Sequence, residues 1–191
     1  MATVLASTKR WFISHEQAAF FIKIVLGSLI IALFAQISVP MYPVPITGQT
    51  LAVTVVGLSL GRKAGIAAVL LYLFQGAIGL PVFASGSAGI AAFFGPTGGY
   101  LYGFIATVAI LGYFSDKGIL KSYFMSTVVA LIATIATFVF GLIHLSFFVP
   151  KGTVLQFGLY PFIIGGIIKA VLAAVLVVPT HKFFSKFFSK L

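Results

Sequence analysis

Apolar residues along this chain fall into long blocks separated by short breaks rich in glycine, proline or charge. Blocks approaching 20 uncharged residues match the hydrocarbon thickness of a bilayer, about 30 Å, at a helical rise of about 1.5 Å per residue. The pattern predicts an all-α integral membrane protein with six transmembrane helices, at 20–39, 46–60, 64–80, 97–114, 122–148 and 160–178. The whole chain, 1–191, reads as a single transmembrane domain with an N-terminal segment over 1–19 and a C-terminal tail over 181–191. In that tail Lys182, Lys186 and Lys190 recur every four residues beside Phe183, Phe184, Phe187 and Phe188. The spacing suits an amphipathic helix on an anionic leaflet, and equally an extension of the sixth span.

Two breaks depart from the simple alternation. The second block is short, reaching roughly 22 Å, so the proline-rich stretch MYPVPITGQT before it is expected to dip below the outer surface. The uncharged stretch 81–95, PVFASGSAGIAAFFG, lies between the third and fourth spans. An apolar, glycine-rich connection is expected to fold back on the bundle as an outer lid. Irregular backbone at membrane depth is tolerated only around a cavity or within protein, so both breaks point to a cavity opening outward.

Composition strengthens this picture. The chain is 61% hydrophobic and 7% charged, with a mean hydropathy of +1.19. The formal charge of +10 does not indicate nucleic acid, because the basic residues sit between or beyond the apolar blocks. Lys9, Arg10, Arg62, Lys63, Lys117, Lys121 and the tail lysines fall on one side of a six-span arrangement, leaving Lys151 on the other. The positive-inside rule therefore places both termini in the cytoplasm. Lys9, Arg10, His15 and Glu16 interrupt residues 1–18, so the N-terminus does not read as a cleaved signal peptide.

Catalytic chemistry has few candidates. The chain lacks cysteine and holds two carboxylates, Glu16 and Asp116, both outside the spans. His15, His144 and His181 are far apart, and no phosphate-binding loop is present, so no metal, cofactor or enzymatic activity is expected. Lys169 stands out as a charge well inside a span, about nine residues or roughly 13 Å from its outer start. A lysine at that depth costs about 2.5–3.5 kcal/mol on insertion scales. With no intramembrane carboxylate to pair with, its partner is expected to be a ligand. Gln49, Tyr42, Phe83, Ser85, Phe94 and Tyr100 gather around the irregular segments and are the further candidate ligand contacts, an apolar wall with a few polar anchors. Gln36 and Gln75 read as hydrogen-bonding glue between helices. Gly95, Gly99 and Gly103 repeat every four residues and predict close helix packing.

The stretches MYPVPITGQT, GLPVFASGSAGIAAFFGPTGGYLYGF and PFIIGGIIKA together resemble the BioY family, the biotin-specific S component of energy-coupling-factor (ECF) transporters. The resemblance implies a multi-pass protein of the cell inner (plasma) membrane that binds biotin in an outward-facing pocket, with no covalent chemistry. It also implies partners: a transmembrane coupling subunit and paired ATP-hydrolysing subunits, a module some family members are proposed to work without. Ser28 and Ala32 on the first span match the small-residue face that meets the coupling subunit. One departure is clear. The family's P-F-x-x-G-D-x-x-K motif reads PFIIGGIIK here, retaining Pro161, Phe162, Gly165 and Lys169 but placing Gly166 where the acidic residue stands. A lid asparagine of the family has no counterpart, Ser85 lying nearest. The alternative reading is a stand-alone facilitator or secondary transporter of a small vitamin-like anion.

Overall fold

In the computed structural model the apolar blocks form long helices; residues 2–118 and 122–188 are described, with side chains over 16–118 and 122–180. The order is α1 (Ala2–Ala35), a two-strand hairpin of β1 (Ser38–Val39) and β2 (Ile46–Thr47), then α2 (Gln49–Ala77). A short 3-10 turn (Ala84–Gly86) and α3 (Ala91–Phe94) lead into α4 (Gly98–Asp116), followed by α5 (Tyr123–Leu145), α6 (Val154–Gly158), a second 3-10 turn (Tyr160–Phe162) and α7 (Ile163–Phe188). Among the described residues five helices are long and apolar enough to cross a membrane. The amphipathic character expected of 181–191 concerns side chains outside the described residues.

The second and third blocks form one element, α2, that doubles back at Gly61, where φ is 75° and ψ 179°. A straight helix would hold Gln49 and Tyr72 about 34 Å apart, yet their side chains are hydrogen-bonded. Gly57 and Gly65 likewise face each other, with the Cα of Gly57 3.7 Å from where a Cβ of Gly65 would stand. The end of α4 ties the reversal down. The Asp116 carboxylate accepts the Arg62 N–H at 3.1 Å and Ser115 Oγ donates to the Leu58 carbonyl at 2.7 Å. Only glycine readily adopts the Gly61 backbone conformation, and an added Cβ would also strike the Asp116 carboxylate.

The arms 49–60 and 62–77 pack on α4, and the core lies between them, around Ile31, Val53, Val56, Val69, Tyr72, Phe104 and Val108. A second cluster joins Leu58 and Leu111 to Val129, Ala133, Ala173 and Val177 across α5 and α7. Lipid gives helices no hydrophobic reason to associate, so close backbone approach through small residues carries much of the packing. Gly99 and Gly103 do this against α5: a Cβ on Gly103 would lie 2.6 Å from the Thr137 Cα, and one on Gly99 would strike the backbone of Phe140. Gly95 does not share this role, because a Cβ there would make only ordinary contact with its own preceding turn.

The outward faces of α1, α5 and α7 are strongly apolar, with Phe21, Leu33, Ile135, Ile143, Ile164 and Leu172 exposed. Ser28 and Ala32, expected on such a face, are covered to different degrees. Ser28 is fully buried and donates to Gln75 Oε1 at 2.6 Å, a hydrogen bond within the chain. Ala32 is half-buried against the α2–α4 core.

Residues 78–97 lie against the same end of the bundle as the hairpin. Gln36 Nε2 donates to the carbonyls of Ala32 (3.1 Å), Pro81 (3.4 Å) and Phe83 (3.3 Å), so α1 holds this segment through its backbone. The Gly89 N–H donates to the Gly76 carbonyl at 2.8 Å. Phe83 is buried in the space that a Gly76 side chain would fill, edge-on to Tyr72 and Phe93 at ring distances of 5.5 and 5.6 Å.

Replacing Gly61 with alanine is expected to destabilise the protein by about 1–3 kcal/mol, the usual scale for such backbone strain. Thermal unfolding in detergent checks this, and an unchanged midpoint would contradict it. Gln36→Ala removes the side-chain donors that hold two carbonyls of the 78–97 segment. Since a hydrogen bond contributes about 1 kcal/mol, amides of 78–97 should exchange about fivefold faster in hydrogen-exchange mass spectrometry, while those of α4 and α5 keep their wild-type rates.

Candidate functional site

Beneath these two irregular segments lies a partly enclosed cavity. Its walls come from Val44, Pro45 and Thr47 beside the hairpin, from Gln49 and Thr50 at the start of α2, and from Phe83, Ala84, Ser87 and Ala92 in the 78–97 segment. Thr97, Tyr100, Leu101 and Phe104 contribute from α4 and its entry, Thr134, Thr137 and Phe138 from α5, and Phe162, Gly166 and Lys169 from the last helix and the turn before it. The lining is mainly apolar with a few placed polar groups, the usual make-up of a small-molecule site.

The aromatic side is built from Tyr100, Phe138 and Phe162, whose ring centroids lie 6.2–6.4 Å apart. Tyr100 donates its hydroxyl proton to the Gly158 carbonyl at 2.8 Å. That bond fixes the ring across the cavity wall and turns its polar end toward α6. Tyr72 stands behind Gln49, fully buried and accepting a hydrogen bond from the Gln49 amide, whose Oε1 accepts from Thr47 Oγ1 at 2.8 Å.

Lys169 is the cation of the site. Its ammonium donates to the Thr47 carbonyl at 2.6 Å and to Thr50 Oγ1 at 3.1 Å. The expectation that its partner lies outside the chain is therefore corrected: two neutral acceptors beside α2 hold it. Neither is a counter-ion. The chain has only Glu16 and Asp116 as side-chain carboxylates, and Asp116 is engaged at the Gly61 reversal. Of three ammonium donors, one remains for another group. Gly166 lines the cavity one turn from Lys169, and a Cβ there would meet nothing within 4 Å, so the missing side chain leaves open space.

Of the residues singled out from sequence, Lys169, Gln49, Phe83 and Tyr100 line this one cavity. Tyr42, Ser85 and Phe94 do not. Tyr42 is 89% exposed in the loop between the strands and Phe94 is 69% exposed on α3. Ser85 occupies a left-handed conformation (φ 56°) and its hydroxyl lies 2.8 Å from that of Ser38, so it joins the segment to the hairpin. Ser87, two residues on, reaches the lining instead. Sequence reasoning missed Thr47 and Thr50 and the α5 pair Thr134 and Thr137. The only available signal was their polarity within apolar blocks, which threonine often conceals by bonding back to its own helix. His144 lies outside the lining and its Nε2 is 3.1 Å from the Gly95 carbonyl, a packing role. Among the described residues no group of acidic or histidine side chains is arranged to hold a metal.

The comparisons with known proteins agree with this geometry. Residues 7–186 match the BioY family. The biotin transporter BioY2 of Lactococcus lactis subsp. cremoris is 36% identical over 154 residues, covering 80% of this chain and 84% of that protein. The biotin transporter BioY of Thermotoga maritima is 35% identical over 162 residues, covering 84% and 95% respectively. A crystal structure of the S-component for biotin from an ECF-type ABC transporter superposes with a TM-score of 0.81 at 32% identity, covering 88% of this chain and 93% of that one. With so much of the chain matched and its helical arrangement shared, this protein belongs to the BioY family.

Proposed function

We propose that this chain captures biotin in the cavity beneath residues 78–97 and delivers it inward, working with an ATP-driven ECF module whose subunits supply the hydrolysis. The observation that carries the reading is Lys169, a cation in a largely apolar cavity, held by neutral acceptors and keeping one donor. Biotin carries both a carboxylate and a ureido carbonyl, either of which can accept that hydrogen bond. The protein's part is binding and conformational change, without bond-making chemistry, and the chain acts as one transmembrane domain in the plasma membrane.

Six crossings follow if each arm of α2 counts as one. The arm 49–60 is roughly 18 Å long and does not span by itself, so the hairpin before it occupies the outer part of the membrane. Arg62 and Lys63 at the reversal and Lys117 at the end of α4 gather at one end of the bundle, which supports a cytoplasmic placement of that end and of both termini. The 78–97 segment then lies outside, as a lid over the cavity.

The first test is a titration of labelled biotin onto the detergent-purified protein, wild type beside Lys169→Ala. A charge-assisted hydrogen bond is worth roughly 1.5–3 kcal/mol, so the variant should bind about tenfold or more weakly. Equal binding by both would reduce Lys169 to a tie between α7 and α2, and no saturable binding by the wild type would sink the biotin reading.

A further inference from the structure

Each threonine hydroxyl has one proton to donate, and following those protons assigns a polarity to one wall of the cavity. On the seam between α4 and α5, Thr107 is buried with its Oγ1 2.9 Å from the Ala133 carbonyl oxygen, which can only accept. The same Oγ1 lies 2.7 Å from Thr137 Oγ1. The assignment that makes both contacts hydrogen bonds has Thr107 donating to the carbonyl and Thr137 donating to Thr107. Thr137 lines the cavity, yet its proton is directed into the seam behind it. Thr134, three residues earlier on the same face of α5 and also part of the lining, donates to the Ala130 carbonyl at 2.7 Å. Both hydroxyls therefore keep lone pairs and have no proton for the cavity; Thr137 is buried, 2% exposed, and Thr134 is the more open of the two.

The residues from α2 and α7 have the reverse character. Lys169 keeps one ammonium N–H, and Thr50 Oγ1, which accepts from Lys169, keeps its own proton. Donors thus come from α2 and α7, and these acceptors from α5.

We propose that Thr137, with Thr134 beside it, is the specificity-determining group that reads N–H donors on the ligand. The assignment rests on the biotin reading and deepens it. Biotin's N–H donors are the two ureido nitrogens, so the ureido edge is turned toward α5 and an acceptor of the ligand toward Lys169 and Thr50. A site built to receive an N–H discriminates against an analogue lacking one, because its own buried lone pairs are then left without a partner.

The test compares biotin with the two cyclic carbamate analogues in which one or the other ureido N–H is replaced by oxygen, a change that preserves shape. Each is titrated onto wild type, Thr137→Val and Thr137→Ser. The wild type should favour biotin over at least one carbamate by about tenfold. Thr137→Val should lose about tenfold for biotin and lose that preference, and Thr137→Ser, which keeps the hydroxyl, should restore both. The proposal is overturned if Thr137→Val binds biotin like the wild type, if it retains the preference, or if the wild type alone shows no preference for biotin over either carbamate. That last comparison needs no variant to fold. Failure of the wild type to bind biotin at all overturns the transport reading and this assignment with it, whereas wild-type binding without discrimination overturns the assignment alone.

Discussion

Lipid offers no hydrogen-bond partner to a peptide group, so every stretch of backbone that leaves helical geometry within a membrane must be satisfied by the protein itself. In this chain that constraint creates the cavity. The loop before α2 is closed by the β1–β2 hairpin and by the Gly48 N–H donating to the Ile37 carbonyl at 2.8 Å. The 78–97 segment is closed by Gln36, by the Gly89 bond to Gly76, and by the Phe83 N–H donating to the Ser87 carbonyl at 3.0 Å. Both are therefore anchored at one end of the bundle, and neither fills the space beneath. Lys169 belongs to the same account. Its ammonium satisfies the Thr47 carbonyl, which stands at the break between β2 and α2.

The Gly61 reversal acts at the other end. By folding 49–60 against 62–77 it brings Gln49 beside Tyr72 and fixes the polar start of α2 over the core shared with α4. Tyr72, fully buried, bears on Gln49 on one side and on Phe83 on the other. One rigid ring thus links Gln49 in the cavity lining to the 78–97 segment. The edge-on contact of Phe83 and the carbonyls held by Gln36 tie that segment to the bundle, while Gly99 and Gly103 bring α4 into backbone contact with α5.

Much of this was legible in the sequence, for identifiable reasons. The helices followed from block length and hydropathy, because the bilayer imposes a length that few other environments require. Lys169 was legible because a charge within an apolar block is rare. Gln49, Phe83 and Tyr100 were legible from their place beside the irregular segments. Tyr42, Ser85 and Phe94 share that place and yet face elsewhere, since nothing in a sequence states which way a loop residue turns. Ser28 adds that a small-residue stripe marks close packing without naming the partner, since it bonds to the chain's own Gln75. The α5 threonines were invisible because Thr134 bonds back to its own helix and the Thr137 proton is directed by Thr107, a residue of another helix.

The charge balance of the site gives the departure at Gly166 its physical meaning. A carboxylate at that position, one turn before Lys169, would stand on the cavity wall close to the ammonium. Such a pair would neutralise the cation internally and leave the cavity without net charge. With glycine there, the insertion cost of the lysine is offset only by a carbonyl and a hydroxyl, both neutral. Neutral partners satisfy hydrogen-bonding capacity without cancelling the field, and in a largely apolar cavity that field is less screened than in water. An acceptor with negative charge then gains more in this cavity than it would in one whose lysine is already paired. On the proposed reading, glycine there also removes a hydrogen-bond acceptor and adds room, so recognition of the ligand's donors falls to other groups that the fold leaves proton-free. Thr134 and Thr137 meet that description.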